Sequence, residues 1–298
     1  MADTVRISDL DFVFISFREP NKEENYAKLL NTVPWAKRVD GVVGFDSAHK
    51  AAAEIAETEF FISVDGDNVI DPKFLLQTLD WSKTDRKAVH RWRARNSING
   101  LIYGNGGVVG WDKQTCLTMR THENADDERA KIDFCWTVPH ENLHNVYSET
   151  VIHASPEQAF LAGFREGVKM SLDQGERIQP EDFMSRIHRQ NLQTLVTWQS
   201  VGADVEHGKY AMLGARMGCY NVTLKDADKT EYNIERTRDL DYCMSFFIDK
   251  DTNELIKMYG NSLRQRLALP IADYDADASR FFKFCQPSYK NTGVQDRE

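Results

Sequence analysis

The apolar residues of this chain fall into two rhythms, and the rhythm changes near its midpoint. Asp11–Phe17 carries the unbroken run Phe12, Val13, Phe14 and Ile15, which predicts a strand buried on both faces. Glu23–Asn31 follows as a helix, with Tyr26, Leu29 and Leu30 on one side. A second strand is expected over Arg38–Val43. Ala48, Ala51, Ala52, Ile55 and Ala56 then recur at helical spacing, and their small side chains suit close packing on a sheet. Phe60–Val64 is a further buried strand, ending in Asp65-Gly66-Asp67-Asn68. Asp71-Pro72 has the form of an N-cap and first helical residue, predicting a helix through Leu79. This alternation of strand and helix predicts an α/β sheet, in which ligands gather at the carboxyl ends of the strands.

Weaker strand signals follow at Lys87–Arg95, Lys131–Trp136 and Val146–Ile152, with the glycine-rich stretch Asn99–Trp111 among them. The rhythm switches at Ser155-Pro156-Glu157-Gln158, an N-cap, a first-turn proline and a capping-box partner. Helices are expected over Pro156–Leu172 and Pro180–Trp198, and strand signals become few. Two parts are therefore expected, residues 1–154 as an α/β core and residues 155–298 as a mainly helical region.

Composition narrows the class without changing this outline. The 298 residues are 41% hydrophobic and 28% charged, ordinary for a globular protein. No apolar run approaches a membrane span, and the first residues lack the apolar segment of a secretory signal. Five cysteines without a CxxC pair argue against a disulfide framework, so a cytoplasmic location is expected. A net charge of −9 argues against nucleic-acid binding by bulk charge, while leaving room for a local basic patch.

Asp65 and Asp67 carry the clearest chemistry. Two carboxylates one residue apart at a strand end can both reach a divalent cation, and Gly66 between them lets the chain turn. Oxygen ligands suit Mg²⁺ or Mn²⁺, which would neutralise a diphosphate leaving group. Asp273, Asp275 and Asp277 alternate in the same way, but no apolar strand leads into them, so a solvated turn or helix start is expected there. A haloacid-dehalogenase-like phosphatase offers a rival reading of Asp65-x-Asp67-x-Val69. Its motif belongs on the first strand, whereas about two βα units precede this one.

The order of features from Asp11 to His153 resembles GT-A glycosyltransferases, the closest match being AHKAAAEIAETEFFISVDGDN (Ala48–Asn68). The segments Trp92–Trp111, Met119–Glu123, Asp133–Trp136 and Ser155–Met170 resemble, more particularly, glycosyltransferases encoded by large tailed bacteriophages. The fold this implies is a GT-A-like, Rossmann-like mixed sheet flanked by helices, with a mainly α-helical C-terminal region. The resemblance implies that Asp65 and Asp67 bind a metal and the donor diphosphate, with Gly66 between them. It places Ser16, Phe17, Arg18 and Asp40 near the nucleotide of a UDP-sugar. It offers His153 as a third metal ligand, against a structural histidine. It sets Asn105, Gly106 and Gly107 in a backbone loop near the sugar, a stretch that also fits a hairpin turn. An inverting reaction needs a carboxylate base, for which Asp133 leads and Glu123 follows.

Arg91, Arg93 and Arg95 would share one face of a strand, where they could hold donor phosphates, a nucleic-acid backbone or neighbouring carboxylates. With the phage resemblance, this suggests hydroxymethylcytosine in double-stranded DNA as acceptor and a host-cytoplasm location. A glycan acceptor and a non-catalytic sugar-nucleotide-binding module stay open as alternatives.

Overall fold

A computed structural model describes residues 4–103, 107–126, 130, 131, 134–225, 237, 239–248 and 251–291. The chain divides into two compact units. The first comprises residues 1–96, 102–151 and 288–298, and the second residues 97–101 and 152–287.

The first unit is built on a mixed sheet. Its strands are β2 (Asp11–Ser16), β3 (Lys37–Asp40), β4 (Phe60–Asp65), β5 (Asn68–Ile70), β7 (Val89–Asn96), β8 (Ile102–Tyr103), β9 (Val108–Asp112) and β10 (His140–Thr150). They run in the order β3-β2-β4-β9-β7-β10-β5, with β8 beside β7. β2 is parallel to β3 and β4, β9 is antiparallel to β4 and β7, and β7 is parallel to β10. β1 (Thr4–Arg6) and β6 (Thr78–Asp80) pair separately. The helices of this unit are α1 (Lys22–Thr32), α2 (Phe45–Ile55) and α3 (Lys113–Thr118).

β4 lies inside the sheet, and Phe60, Phe61, Ile62 and Val64 are all buried. Its side chains alternate between two cores. Ile62 and Val64 join Phe12, Phe14, Phe74 and Trp92, while Phe61 joins Val13, Ala52, Ala53 and Trp111 on the opposite face. An apolar run without alternation is what burial on both faces requires.

Several expectations need correction. The segment after Asp71 is one 3₁₀ turn, Pro72–Leu76, and leads into β6. The Asp71 cap itself forms, its carboxylate accepting from Lys73 N at 2.9 Å. In α2, Ile55 is exposed while His49 and Ala53 face inward. His49 accomplishes this by pairing its Nδ1 with Phe45 O at 2.8 Å and laying its ring 5.0 Å from Trp111. Phe134–Trp136 forms a 3₁₀ turn where a strand was expected, and β10 begins six residues before Val146.

The second unit is mainly helical, with a single two-residue hairpin pair among its described residues, β11 (Leu172–Asp173) and β12 (Glu176–Arg177). Its labelled helices are α4 (Pro156–Lys169), α5 (Arg189–Ser200), α6 (Gly208–Tyr220), α7 (Thr252–Leu267) and α8 (Ala276–Cys285). The Ser155 cap forms, with Gln158 N donating to Ser155 Oγ at 3.1 Å, while the Gln158 side chain accepts from Ala154 N, one residue ahead of the cap, at 2.9 Å. The helix expected over Pro180–Trp198 is broken. A 3₁₀ turn and the short helix Phe183–Arg186 precede α5.

α4 and α6 meet backbone to backbone. A methyl group on Gly163 or Gly167 would strike the carbonyls of Ala211 or Ala215, and one on Gly214 or Gly218 those of Phe160 or Phe164. The four glycines thus form two facing pairs, each spaced by four residues. Arg216 on α6 is fully buried, its guanidinium donating to the carbonyls of Gln199, Ile256 and Ala272 and to Asp273 Oδ1. Asp273 is therefore no solvated turn residue, whereas Asp275 does open α8, accepting from Ala278 N at 2.8 Å.

Gly163→Ala tests this contact. Alanine in a helix interior ordinarily gains about 1 kcal/mol over glycine. Here we expect a net loss of about 1–3 kcal/mol from overpacking against backbone. A thermal melt equal to or above the wild type would show that the helices do not meet at Gly163.

Candidate functional site

The residues singled out in the first unit converge on the carboxyl ends of β2, β3 and β4. β4 delivers Asp65, and the turn to β5 delivers Gly66 and Asp67. The turn is anchored at three successive residues by three different parts of the unit. Asp65 N donates to Gly107 O at 2.8 Å, Asn25 Nδ2 of α1 donates to Gly66 O at 2.9 Å, and Val151 N donates to Asp67 O at 2.7 Å. Asn68 Nδ2 then donates to Asp67 Oδ1 at 2.7 Å, fixing one carboxylate oxygen.

Negative charge is concentrated here. Burial pushes the Asp65 carboxyl well above the usual carboxylate range, and the charges of Asp67 and Glu19 push it further in the same direction. Glu19 reaches the turn from the loop after β2, where its Oε2 accepts from Phe17 N at 2.7 Å. A methyl group on Gly66 would lie 2.9 Å from that same Oε2. Gly107 has φ +70°, and a side chain there would meet Asn68 Nδ2 and lie 2.8 Å from Asp65 Oδ2. Glycine at both positions keeps space open around the paired carboxylates.

The end of β3 holds a second polar cluster. Ser16 Oγ donates to Asp40 Oδ1 at 2.7 Å, and Lys22 Nζ donates to the same oxygen at 2.6 Å and to Phe17 O at 2.9 Å. Arg38 Nε donates to Ser16 Oγ at 3.1 Å, and its guanidinium pairs with Glu23. The Lys22 ammonium and the Ser16 hydroxyl hold the Asp40 carboxyl below its usual range. Arg18 sits over the Phe17 ring, 5.1 Å from its centroid.

Other expected residues lie elsewhere or have other work. Glu123 caps the amino end of α2, accepting from Ser47 N at 2.8 Å and Asp46 N at 3.3 Å. Burial opposes ionisation of Glu123, yet the Ser47 amide and further hydrogen bonds bring its pKa below the ordinary value. Arg91 stacks over Phe134 at 5.5 Å and donates to Cys135 Sγ. Arg91, Arg93 and Arg95 do occupy alternate, half-buried positions of β7. His153 belongs to the second unit, and among the described residues no group of three or more His, Cys, Asp or Glu is arranged to hold a metal. Asp133, Asn105 and Gly106 lie outside the described residues.

Glu19, Asn25 and Lys22 were missed in the sequence. Glu19 lies three residues past β2, the place where a loop returns over a strand end, and that position was its only signal. Asn25 resembles any other polar residue of an amphipathic helix, although it is 1% exposed.

Neither a protein-family model nor a curated protein matches the chain. Among solved structures, HddC from Yersinia pseudotuberculosis aligns with a TM-score of 0.31 and 12% identity, over 47% of this chain and 92% of that one. A glycosyltransferase involved in glycosylation of the major capsid of PBCV-1 aligns with a TM-score of 0.30 and 12% identity, over 49% and 97%. At these values neither likeness determines the fold or chemistry of this chain.

The raised Asp65 pKa has a consequence for stability. Below its unfolded value of about 3.9 the group is protonated in both states and costs nothing. As pH rises past that value, the unfolded chain releases a proton that the folded chain retains, so stability falls until the folded pKa is passed. With chelator present, Asp65→Asn should raise the melting temperature at pH 7.5 by roughly 2–4 °C, the shift expected for about 1 kcal/mol. The gain should shrink as the pH approaches 4. A variant no more stable than wild type at pH 7.5 would contradict the charge crowding.

Proposed function

We propose that this protein is a metal-dependent glycosyltransferase, moving a sugar from a nucleotide-diphosphate donor, with UDP-sugars favoured, to an acceptor hydroxyl. The observation that carries this reading is the crowding of Asp65 by Asp67 and Glu19 at the end of an interior strand. Folding holds acidic side chains together against their own repulsion only where something offsets the charge, and functional sites are where such arrangements concentrate.

The residues fit a hard divalent cation. Asp65 and Asp67 offer oxygen donors only, and Mg²⁺ or Mn²⁺ takes one or two carboxylates and fills its shell with phosphate and water. When bound, the ion would neutralise charge on the departing diphosphate. The protein's own residues have separate tasks. Asn25, Val151 and Gly107 hold the turn so that neither carboxylate has to reorganise. Lys22, Ser16 and Arg38 fix Asp40 at the end of β3, beside the loop assigned to the nucleotide. For the acceptor proton in an inverting reaction Asp133 is the leading candidate, with Glu123, which accepts from the amides of Asp46 and Ser47, the next.

For the acceptor we propose hydroxymethylcytosine in DNA, on the phage-like segments of the sequence and the arginine row of β7. The test is incubation with Mn²⁺ and a panel of UDP- and GDP-sugars, offering hydroxymethylcytosine DNA, ordinary DNA and a glycan, with mass spectrometry of the products. Sugar-bearing nucleosides are expected from the modified DNA alone. Sugar on the glycan alone would remove the DNA acceptor, and neither transfer nor donor hydrolysis would remove the enzyme. Asp67→Asn should lower transfer by roughly 10²–10³-fold, the scale of losing one preorganised electrostatic group.

A further inference from the structure

A groove of about 930 Å³ opens in the first unit between β5 with the following 3₁₀ turn, β10 and the segment Tyr289–Asn291. It begins at Val69, two residues beyond Asp67, and of its lining residues only Arg95 has a functional role assigned above. We propose that it binds a nucleic-acid strand by its phosphodiester backbone. The inference rests on the transfer reading only in making that strand the acceptor.

Ser148 is the first observation. It lines the groove, is 6% exposed, and its hydroxyl has no hydrogen-bond partner among the described residues. A buried hydroxyl left without a partner is destabilising, and a local shift that let a ligand oxygen reach it would remove that cost. The strand around Ser148 is irregular. The register with β7 shifts between Val146 and Ser148. Both backbone groups of Val146 are taken by Asn291, whose Oδ1 accepts from Val146 N at 2.8 Å and whose Nδ2 donates to Val146 O at 2.7 Å. The main chain is thereby satisfied from the side, and the Ser148 hydroxyl is not.

Charge is the second observation. Lys73, Arg95 and Lys290 line the groove from three separate segments, against the carboxylates of Asp71 and Glu149. Asp71 already accepts from Lys73 N. The balance is positive in a chain of net charge −9. Cations spread along a groove match repeated anions, while a neutral glycan would leave them unmatched. Lysine, arginine, serine and asparagine are the groups that position a phosphate backbone. Tyr289 is half-buried, with its hydroxyl held by His144 O, and supplies a ring beside the groove on which a base can stack.

The experiment is fluorescence anisotropy of a labelled ten-nucleotide thymidine oligonucleotide, with chelator and no donor, at 50 and 200 mM salt. Wild-type protein should bind, more weakly at high salt. Lys73→Glu with Lys290→Glu should weaken binding at least tenfold and lower the salt slope by about 1.4, two phosphates at about 0.7 each. Ser148→Ala should weaken binding several-fold with an unchanged thermal melt. Asp65→Asn should bind the oligonucleotide as wild type does. No binding by wild type, unchanged binding by the double-lysine variant, or equal competition by a sulfated glycan would overturn the proposal. Binding without sugar transfer would remove the transfer reading alone. Transfer to DNA with an unchanged KM in the double-lysine variant would remove the groove alone.

Discussion

The end of β4 imposes the constraint from which the rest of the first unit follows. Three carboxylates, Glu19, Asp65 and Asp67, are brought within electrostatic reach of one another where Asp65 is partly buried. Repulsion of this kind would open a free loop. It is contained because each peptide of the Asp65–Asp67 turn is tied to a different part of the unit, through Gly107, Asn25 and Val151. β4 can act as the rigid post because it is covered on both faces, with Phe61 in one core and Ile62 and Val64 in the other. The stability of two apolar layers thus holds an arrangement that would not persist by itself.

β2, β4 and the acidic turn were legible in the sequence because their signals are local. A continuous apolar run reports burial on both faces, and the residues that end it report the turn. What was illegible depends on partners distant in the chain. Nothing around Glu123 shows that its carboxylate meets the amides of Asp46 and Ser47, more than seventy residues earlier. Asn25 reads as a helix-surface residue until the Gly66 carbonyl is placed against it. The stretch after Asp71 carried a sound cap and helical leucines, yet pairing of Thr78–Asp80 with β1 ended the helix after one turn. Helical spacing read most of α2, where Ala48, Ala51, Ala52 and the following Ala56 pack inward, but not His49 and Ile55. His49 is an interior residue packed beside Trp111, and Ile55 lies outside.

The second unit obeys a different economy of contact. α4 and α6 approach closely because four glycines remove the side chains that would hold them apart. Arg216 on α6 is a large cation that is fully buried, and three carbonyl groups and Asp273 answer its donors. Removing one partner of such a buried pair generally costs more than the pair itself is worth. Asp273 therefore belongs to the framework of this unit, despite the alternating acidic pattern it shares with Asp65 and Asp67.

Glu123 on α2 has an electrostatic consequence for the site. The amino end of a helix carries roughly half a positive charge and ordinarily attracts phosphate. Here a carboxylate of the same chain already occupies the first amides, so the pole of α2 is cancelled from within. A diphosphate approaching the strand ends would gain little from that dipole and would depend on whatever charge gathers at Asp65 and Asp67.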